Sequence, residues 1–417
     1  MMNYMETLGQ KAKQASYAAA SAGTVLKNQA LKAISDALLK NTDKILEENQ
    51  KDMQNAVQNQ MSPAMQDRLK LDAKRIQAIA NAVLKVVALD DPIGEEIKGW
   101  LRPNGLRIRQ VRVPMGVIGI IFESRPNVTV DAAVLCLKAG NAVILRGGKE
   151  AINSNLCLVK VMQSALESVG LPAELVQLVE KTDRETAADM MKLNGYLDVL
   201  IPRGGAGLIQ AVVKQATVPV IETGAGNCHV YIDESAELEM AVHIADNAKT
   251  QRPSVCNAIE TLLVHKNIAE TVLPEIKKAF DQHEVIIHGC EGTKKILGDC
   301  VIPVTEEDYF KEYGNYEIAV KIVDSVEEAV AHIQKYSTNH SEAIVTQNMN
   351  NAEYFLNHVN SAAVYVNAST RFTDGEEFGF GAEIGISTQK LHARGPMGLL
   401  ALTTTQYRIT GNGQIRG

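Results

Sequence analysis

The sequence predicts an α/β fold of the doubly wound type, built as two α/β domains with a separate β-extension. Between 116 and about 232, short β-branched runs alternate with helical patterns; the runs are GVIGIIF, NAVILR, ELVQLV, DVLIP, VPVI and HVYID. A second alternation, with helices of its own, extends from 256 to about 366. Such alternation is typical of parallel sheets covered by helices on both faces. Two separate alternations therefore indicate two domains.

The N-terminal region, residues 5 to about 90, has a purely helical pattern. Apolar residues recur there at the spacing of one helix face: Leu31, Ile34, Leu38, Ile76, Ile79, Val83 and Val86. Pro63 and the polar residues before it divide this region into several helices.

Two further segments lie outside both alternations. Asn104-Gly105 separates two short extended runs within 99–114, which is a strong hairpin signal. The alternation there is imperfect, so we expect a bulge in one strand. The tail, 401–417, is β-prone and polar. An isolated two-stranded ribbon is marginal in water, so these segments predict a homo-oligomer in which they join a partner's sheet; pairing with each other within one chain is the alternative.

Composition excludes several classes of protein. The 417 residues are 46% hydrophobic and 22% charged, which is typical of a globular protein. A net charge of −7 argues against a nucleic-acid partner. No apolar run approaches the ~20 residues that would cross a membrane, and the charged N-terminus does not resemble a signal peptide. Six scattered cysteines without a C-x-x-C pair indicate free thiols, no zinc site and a cytoplasmic location.

Cys256 is the candidate nucleophile, because its surroundings differ from those of the other cysteines. It lies in QRPSVCN (251–257), with Arg252 four residues upstream and a strand-like run directly after. A reactive thiolate needs positive charge and access to substrate, and Arg252 with the Pro253-Ser254 turn can supply both. Glu222 opens the segment ETGAGN (222–227) upstream. A buried structural cysteine is the alternative.

Two glycine-rich turns are candidates for binding a cofactor phosphate. Gly204 and Gly205 lie where a strand leads into a helix, as a phosphate-binding turn would, although a plain turn fits equally well. Arg146 ends the strand NAVILR and Lys149 follows two glycines later. These cations favour NADPH over NADH, because the 2′-phosphate of NADPH requires positive charge. Solvated loop charges are the alternative.

Three arginines beside prolines or glycines, Arg125, Arg252 and Arg394, are candidates for binding a small anionic substrate. Their guanidinium groups pair bidentately with carboxylate or phosphate, and surface ion pairs are the alternative. Asn127, two residues after Arg125, can donate a hydrogen bond to a developing oxyanion, or form a local Asx turn.

Five segments of the chain resemble the aldehyde dehydrogenase superfamily and, within it, the gamma-glutamyl phosphate reductases. They are VPMGVIGIIFESRPNVTVDA (113–132), KAGNAVILRGGKEA (138–151), VIETGAGNCHVYID (220–233), TQRPSVCNAIETLLVH (250–265) and EIGISTQKLHARGPMGL (383–399). The last two are specific to these reductases, and the resemblance covers essentially the whole chain.

The resemblance implies roles for individual residues. Cys256 matches the nucleophile, Glu222 the acidic residue upstream of it, and Asn127 the oxyanion asparagine. Arg146 stands where many members have a cofactor-binding lysine, and Glu312 in KEYGN matches the glutamate that binds the cofactor ribose. We also assign Ser254 to substrate binding.

The implied reaction is NADPH-dependent reduction of L-glutamate 5-phosphate to L-glutamate 5-semialdehyde, the second step of proline biosynthesis. Cys256 would form a thioacyl intermediate, which splits one difficult reduction into two easier steps. Glu222 either delivers a proton or orders its own loop. The rival interpretations are an enzyme for NAD(P)-dependent oxidation of another short aldehyde and a non-catalytic dinucleotide-binding protein.

The resemblance also implies an aldehyde-dehydrogenase-like organisation and its partners. We expect a discontinuous dinucleotide-binding domain, a catalytic domain and an oligomerisation extension, and a complex with the upstream glutamate kinase. The expected bounds are 1–98, 114–245 and 369–400 for the first, 246–368 for the second, and 99–113 with 401–417 for the third.

Overall fold

A computed structural model describes residues 2–416, apart from the side chains of Ala64 and Ala206. The chain forms two compact units. Unit 1 comprises Met1–Glu222, Gly379–Gly385 and Met397–Gly417, and unit 2 comprises Thr223–Phe378 and Ile386–Pro396.

The helices are numbered in chain order. Unit 1 contains α1 (Tyr4–Ser21), α2 (Thr24–Lys40), α3 (Thr42–Gln58), α4 (Pro63–Leu69), α5 (Ala73–Ala88), α6 (Pro126–Lys138), α7 (Ile152–Ser168), α8 (Arg184–Met191) and α9 (Ala206–Gln215). Unit 2 contains α10 (Leu238–Thr250), α11 (Lys266–Asp281), α12 (Glu291–Leu297), α13 (Val326–Tyr336) and α14 (Met349–His358).

The strands are numbered in the same way. Unit 1 contains β1 (Glu96–Leu101), β2 (Arg107–Pro114), β3 (Val117–Phe122), β4 (Ala142–Arg146), β5 (Val176–Leu178), β6 (Val199–Arg203) and β16 (Thr403–Thr410). Unit 2 contains β7 (Cys228–Ile232), β8 (Ile259–His265), β9 (Ile286–Gly289), β10 (Ile302–Pro303), β11 (Glu317–Val323), β12 (Ser341–Val345), β13 (Ala363–Val366), β14 (Ile386–Ser387) and β15 (Gly395–Pro396).

Many helix starts are encoded by a polar residue immediately before the helix. The side chains of Ser62, Asp72, Asp183 and Ser325 each accept a hydrogen bond from a backbone N–H in the first turn. Asn3 forms a complete capping box with Glu6 before α1. These contacts satisfy backbone donors that a helix leaves unpaired at its N-terminus.

The apolar positions predicted for the N-terminal helices are buried. Leu31, Ile34 and Leu38 on α2 have no exposed surface. On α5, Ile76, Ile79, Val83 and Val86 are also buried. The helical interpretation of this region is confirmed, and the chain does break into a new helix at Pro63.

The predicted doubly wound α/β class is also confirmed. Within the described residues, unit 1 has a four-stranded sheet of order β5-β4-β3-β6, all of it parallel. Every residue of the central strand β3 is buried, as expected of a parallel strand covered on both faces. The run VPVI (218–221), which was predicted to be a strand, makes only an isolated bridge between Val220 and Leu200.

Unit 2 contains the larger parallel sheet, with seven strands in the order β10-β9-β11-β8-β7-β12-β13 across the part of the chain that is described. Strand β8 lies near its centre and is buried along its whole length. Apolar residues of β7 and β8 pack against α10 and α11, including Val230, Leu262, Ala245 and Leu273. The segment with Cys256 leads directly into this rigid strand.

The predicted hairpin and tail pair with each other within one chain. Strands β1 and β2 are antiparallel, with a register shift between Glu96 and Lys98 that corresponds to the expected bulge. Strand β16 pairs antiparallel with β2 from Thr403↔Pro114 to Thr410↔Arg107. The alternative pairing within the chain is thus the one observed, and β1 and β16 are the outer strands of the sheet.

The compact units divide at different positions from the predicted domain bounds. Residues 223–245 fall in unit 2 rather than with the first domain, because β7 pairs with β8 and β12 of the larger sheet. Residues 99–113 and 401–417 fall in unit 1. No helix among residues 2–416 combines the length and apolar character needed to span a membrane.

Candidate functional site

Cys256 lies in a short loop (251–257, the Cys256 loop) between α10 and β8. Its side chain is half-buried, whereas Asn257 and Ala258 directly after it are buried. Burial raises the pKa of the Cys136, Cys157 and Cys228 thiols, which makes them poor nucleophiles at neutral pH.

Cys290 is the other half-buried cysteine. Burial alone would raise its pKa, but hydrogen bonds from the Thr293 hydroxyl and the Ile322 N–H bring the pKa below its usual value. Partial exposure therefore does not single out Cys256, and the contacts of its loop carry more information.

The backbone of Cys256 lies directly against Gly226. A Cβ atom added at Gly226 would come within 1.5 Å of the Cys256 carbonyl oxygen and 2.6 Å of its Cα. The Cys228 thiol donates a hydrogen bond to the same carbonyl oxygen, at 3.1 Å. Only glycine is compatible with this approach, so Gly226 of the ETGAGN segment is required for the position of the Cys256 backbone. Sequence reasoning assigned neither Gly226 nor Cys228 to the site.

Asn257 anchors the other end of the loop. Its Nδ2 donates to the carbonyl oxygens of Arg371 and Thr373, at 3.2 and 3.0 Å. Its own carbonyl oxygen accepts from Thr370 Oγ1 at 2.7 Å. The Cys256 loop is therefore fastened to residues 370–373, which follow β13.

Arg371 was missed by the sequence analysis, which considered only arginines beside proline or glycine. Its Nε donates to Gln251 Oε1 at 2.9 Å, and its Nη1 donates to Asn257 Oδ1. Burial lowers the pKa of this guanidinium, and the neighbouring charge of Arg252 lowers it further. No local pattern signalled this contact, since Arg371 follows β13 but meets the loop at the amino end of β8.

Glu312, expected at the cofactor ribose, holds the glycine segment next to Cys256. Its Oε1 accepts from the Gly226 N–H at 3.0 Å. Two residues on, the Gly314 N–H donates to Glu260 Oε1 at 3.1 Å. Glu260 is buried and its Oε2 accepts from the Lys249 ammonium at 2.7 Å. The Lys249–Glu260 ion pair and Glu312 therefore support the same stretch of chain. The ion pair accepts the Gly314 N–H through Glu260, and Glu312 accepts the Gly226 N–H.

Glu222 is half-buried and ends the first segment of unit 1. The residues after it are tethered within unit 2: Thr223 forms a bridge with Ser387, and the Gly224 N–H donates to the Ile386 carbonyl at 3.2 Å. The ETGAGN segment is therefore ordered by β14 as well as by Glu312.

The turn between β6 and α9 in unit 1 already binds a carboxylate. Gly205 precedes α9, which has no side-chain cap, and the Gly205 N–H donates to Glu123 Oε2 at 2.9 Å. Gly204 and Gly205 are both exposed. Unpaired amides at a helix N-terminus can bind anions. The contact with Glu123 shows that the Gly205 N–H donates to an anionic oxygen.

Arg146 and Lys149 lie at the carboxyl end of β4. Arg146 is half-buried; its Nη2 donates to the Thr182 carbonyl at 3.1 Å, while its buried Nε has no hydrogen-bond partner within residues 2–416. Burial lowers the pKa of this guanidinium. Lys149 is exposed in the short helix 149–151. These cations and the Gly205 turn fit the phosphates of a nicotinamide dinucleotide.

The start of α6 contains Arg125 and Asn127, both half-buried. Asn127 Nδ2 donates to Asp131 Oδ2 at 2.9 Å, one turn further along the helix. Burial raises the pKa of Asp131 to about 6. The donor expected to face an oxyanion is therefore engaged locally.

The remaining substrate candidates are divided between two places in unit 2. Arg252 and Ser254 are exposed in the Cys256 loop. Arg394 is exposed elsewhere, and its Nη2 donates to the Asn360 carbonyl at 2.6 Å and to Asn360 Oδ1 at 3.2 Å. Arg394 therefore anchors the chain around Asn360, whereas Arg252 and Ser254 share the loop of the nucleophile.

Comparison with known proteins gives consistent results. The model of the aldehyde dehydrogenase family matches residues 3–293. Gamma-glutamyl phosphate reductases from Clostridium perfringens strain SM101 and Carboxydothermus hydrogenoformans are 62% and 60% identical to this chain over 416 residues, covering 100% of both chains. The crystal structure of gamma-glutamyl phosphate reductase from Thermotoga maritima aligns with a TM-score of 0.97, at 49% identity and 100% coverage of both chains.

Proposed function

The chain belongs to the aldehyde dehydrogenase family, and we propose that it reduces L-glutamate 5-phosphate to L-glutamate 5-semialdehyde with release of phosphate. This reaction is the second step of proline biosynthesis from glutamate. The observation that carries the proposal is the full-length similarity to gamma-glutamyl phosphate reductases. The firmly held Cys256 loop supports it.

Cys256 acts as the nucleophile. Its thiolate attacks the acyl carbon, the carbon–oxygen bond to phosphate breaks, and a thioacyl enzyme remains. Reduction of the thioester gives a hemithioacetal, whose collapse releases the aldehyde and restores the thiolate. The contacts with Gly226, Cys228 and Asn257 hold the backbone that carries the Cys256 side chain. Fixed geometry of this kind supplies much of an enzyme's advantage over solution.

A nicotinamide dinucleotide supplies the hydride when bound, and we propose NADPH. Arg146, Lys149 and the Gly204–Gly205 turn would hold its phosphates, because they combine positive charge with a backbone N–H that already donates to a carboxylate. Glu312 is the candidate for the ribose in addition to its contact with Gly226.

Glu222 and Asn127 are proposed to serve the acyl group. Asn127 would stabilise the oxyanion after leaving Asp131. Glu222 either delivers a proton to the hemithioacetal or orders the ETGAGN segment. A reductase must avoid activating water, because hydrolysis of the thioester would consume substrate without reduction. Arg125, Arg252, Ser254 and Arg394 are the candidates for binding the substrate's carboxylate and phosphate.

The test is cofactor reduction by glutamate semialdehyde, measured with and without phosphate. We expect the reaction to require phosphate, and to be abolished in Cys256→Ser but retained in the matched Cys290→Ser variant. Reduction of the cofactor without phosphate would indicate an ordinary NAD(P)-dependent aldehyde dehydrogenase. Cofactor binding with no turnover of any aldehyde would indicate a non-catalytic dinucleotide-binding protein.

We also propose that the cytoplasmic enzyme is a homo-oligomer, most simply a dimer, and associates with glutamate kinase. The dimer would form through the sheet β1-β2-β16, whose outer strands expose Leu101, Tyr407 and Ile409. Exposed apolar edges favour pairing with another chain. Mass in solution is the measurement: deletion of 403–417, or Ile409→Glu alone, should give monomers. An unchanged mass in both variants would refute this interface.

A further inference from the structure

The guanidinium of Arg371 spans the Cys256 loop. Arg371 belongs to the short helix Thr370–Phe372, which follows β13. Its Nε donates to Gln251 Oε1 at 2.9 Å, and its Nη1 donates to Asn257 Oδ1. These acceptors are the first and last residues of the loop, so the guanidinium is connected to both of its ends.

Several backbone contacts hold the segment that carries Arg371 in this position. Asn257 Nδ2 donates to the backbone carbonyls of Arg371 and Thr373, and the Thr370 hydroxyl donates to the Asn257 carbonyl. The backbone and the side chain of Arg371 are thus fastened to the same neighbour. The position of its charge relative to the loop is consequently set before any ligand binds, which reduces the entropy lost on binding.

The charge of Arg371 is not neutralised by these contacts. Gln251 and Asn257 both offer neutral amide oxygens, and an arginine stays protonated in proteins. Arg252, in the same loop, adds a second positive charge that acts on Arg371, and Cys256 is among the groups that interact with it electrostatically. Asp374 supplies the opposing negative charge. The like charges of Arg371 and Arg252 repel each other, and an anion that binds between them relieves that repulsion.

We propose that Arg371 and Arg252 form the subsite that binds the phosphate group of the acyl phosphate; this inference rests on the function proposed above. The phosphate is bonded to the carbon that Cys256 attacks, so it must lie beside the Cys256 loop. The substrate carboxylate lies at the far end of the glutamyl chain. As the sulfur–carbon bond forms, phosphate leaves with the electron pair of the carbon–oxygen bond. The two guanidinium groups stabilise this developing charge.

The reverse reaction isolates phosphate as a substrate of its own. Glutamate semialdehyde, phosphate and the oxidised cofactor are supplied to the intact enzyme, and the KM of each substrate is determined separately. Arg371→Gln should raise the KM for phosphate about 10- to 100-fold, as expected for loss of a hydrogen bond to a charged group. The KM for the semialdehyde should stay unchanged.

Two more variants separate binding from structural support. Arg371→Lys keeps the charge without the planar fork, so its KM for phosphate should fall between those of the wild type and Arg371→Gln. In Arg371→Ala, added guanidinium ion should restore phosphate-dependent turnover. Arg68→Gln, which removes an exposed arginine at the end of α4, is the matched control and should behave as the wild type.

The following results would overturn the assignment of Arg371 or the reaction on which it rests. An unchanged KM for phosphate in Arg371→Gln excludes the subsite, and a lower kcat alone would mark Arg371 as a support for the loop. A raised KM for the semialdehyde with an unchanged KM for phosphate would assign Arg371 to the carboxylate instead. Wild-type turnover without phosphate would overturn the proposed reaction itself, which is a different outcome from failure of the variant.

Discussion

Each compact unit contains a glycine whose N–H donates to a glutamate carboxylate, but the two glycines have different surroundings. In unit 2, Gly226 donates to Glu312 at 3.0 Å; in unit 1, Gly205 donates to Glu123 at 2.9 Å. A Cβ at Gly226 would collide with the Cys256 backbone at 1.5 Å. A Cβ at Gly205 would meet only Glu123, at 3.9 Å.

The comparison shows that one hydrogen-bond pattern serves two purposes. Gly226 is needed because another backbone occupies the place of its side chain. Gly205 lies at an exposed helix start, where the absence of a side chain leaves the amides accessible to an anion. The carboxylate in unit 2 is part of a support, whereas the carboxylate in unit 1 occupies a site that the cofactor is proposed to take.

The difference between Gly226 and Gly205 is tested most directly by adding one methyl group to each glycine. Gly226→Ala should lower kcat/KM by about 100-fold or more, because the Cys256 backbone must shift by an ångström or so. Gly205→Ala should retain most of the activity. Steady-state rates and circular dichroism of both variants test this, and equal losses would show that the two glycines are equivalent.

The buried ion pairs of the two units should differ in their response to pH. Burial raises the pKa of Glu260 to about 7, and Lys249 opposes this shift. A carboxyl whose folded pKa is raised favours folding at low pH, and this contribution is lost as the pH rises through about 7. Lys249→Met should therefore destabilise unit 2 by about 3–5 kcal/mol, more at pH 8 than at pH 6.

The matched variant is Lys27→Met in unit 1. Burial would raise the pKa of its partner Asp91, but hydrogen bonds from Lys27, Ile93 and Thr24 lower it below the usual value. That stabilisation is present above the unfolded pKa and is lost only as the pH falls through the folded pKa. The loss of stability caused by Lys27→Met should therefore be the same at pH 6 and pH 8. The measurement is the denaturant midpoint of each variant at both pH values. The same pH response in both variants would contradict the expected difference between the two ion pairs.

A smaller effect is expected when the thiol that holds Cys256 is removed. Cys228→Ala deletes the donor to the Cys256 carbonyl and should lower kcat about 2- to 10-fold, as for one neutral hydrogen bond. Cys228→Ser keeps a donor and should lose less. Cys157→Ala, on α7 of unit 1, is the control for removal of a buried thiol. Wild-type kcat in Cys228→Ala would show that Gly226 alone is sufficient.

The smallest effects are expected from neutralising the two carboxylates, Glu312 and Glu123. Glu312→Gln weakens a charge-assisted hydrogen bond to Gly226 and should lower kcat a few-fold. Glu123→Gln weakens the group that occupies the Gly205 amide, so it should lower the KM for NADPH and leave kcat unchanged. Steady-state kinetics with NADPH as the varied substrate separates them. A raised KM for NADPH in Glu312→Gln, with kcat intact, would favour its role at the ribose over its role as a support.

The sequence alone determined the fold class and most elements, and it supplied Cys256 as the candidate nucleophile. Helix periodicity, the Asn104-Gly105 hairpin and caps such as Asp72 depend on neighbours within a few residues, so they can be read locally. The resemblance to the aldehyde dehydrogenases added the expected roles of Glu222 and Glu312. The run VPVI shows the limit of this reasoning, since it formed only an isolated bridge to Leu200 of β6, and Pro219 within it has no N–H to donate to a ladder.

Only the tertiary structure decided what surrounds Cys256. Cys228 lies 28 residues from Cys256 and Arg371 lies 114 residues from Asn257, yet both touch the same loop. Cys228 begins β7 and Cys256 lies just before β8, so both are at the amino ends of neighbouring parallel strands. These ends meet at one edge of the sheet whatever their separation in the chain, and nothing in a local pattern specifies which strands will be neighbours. The boundary at Glu222, the approach of Gly226 and the engagement of Glu312 all follow from that strand order.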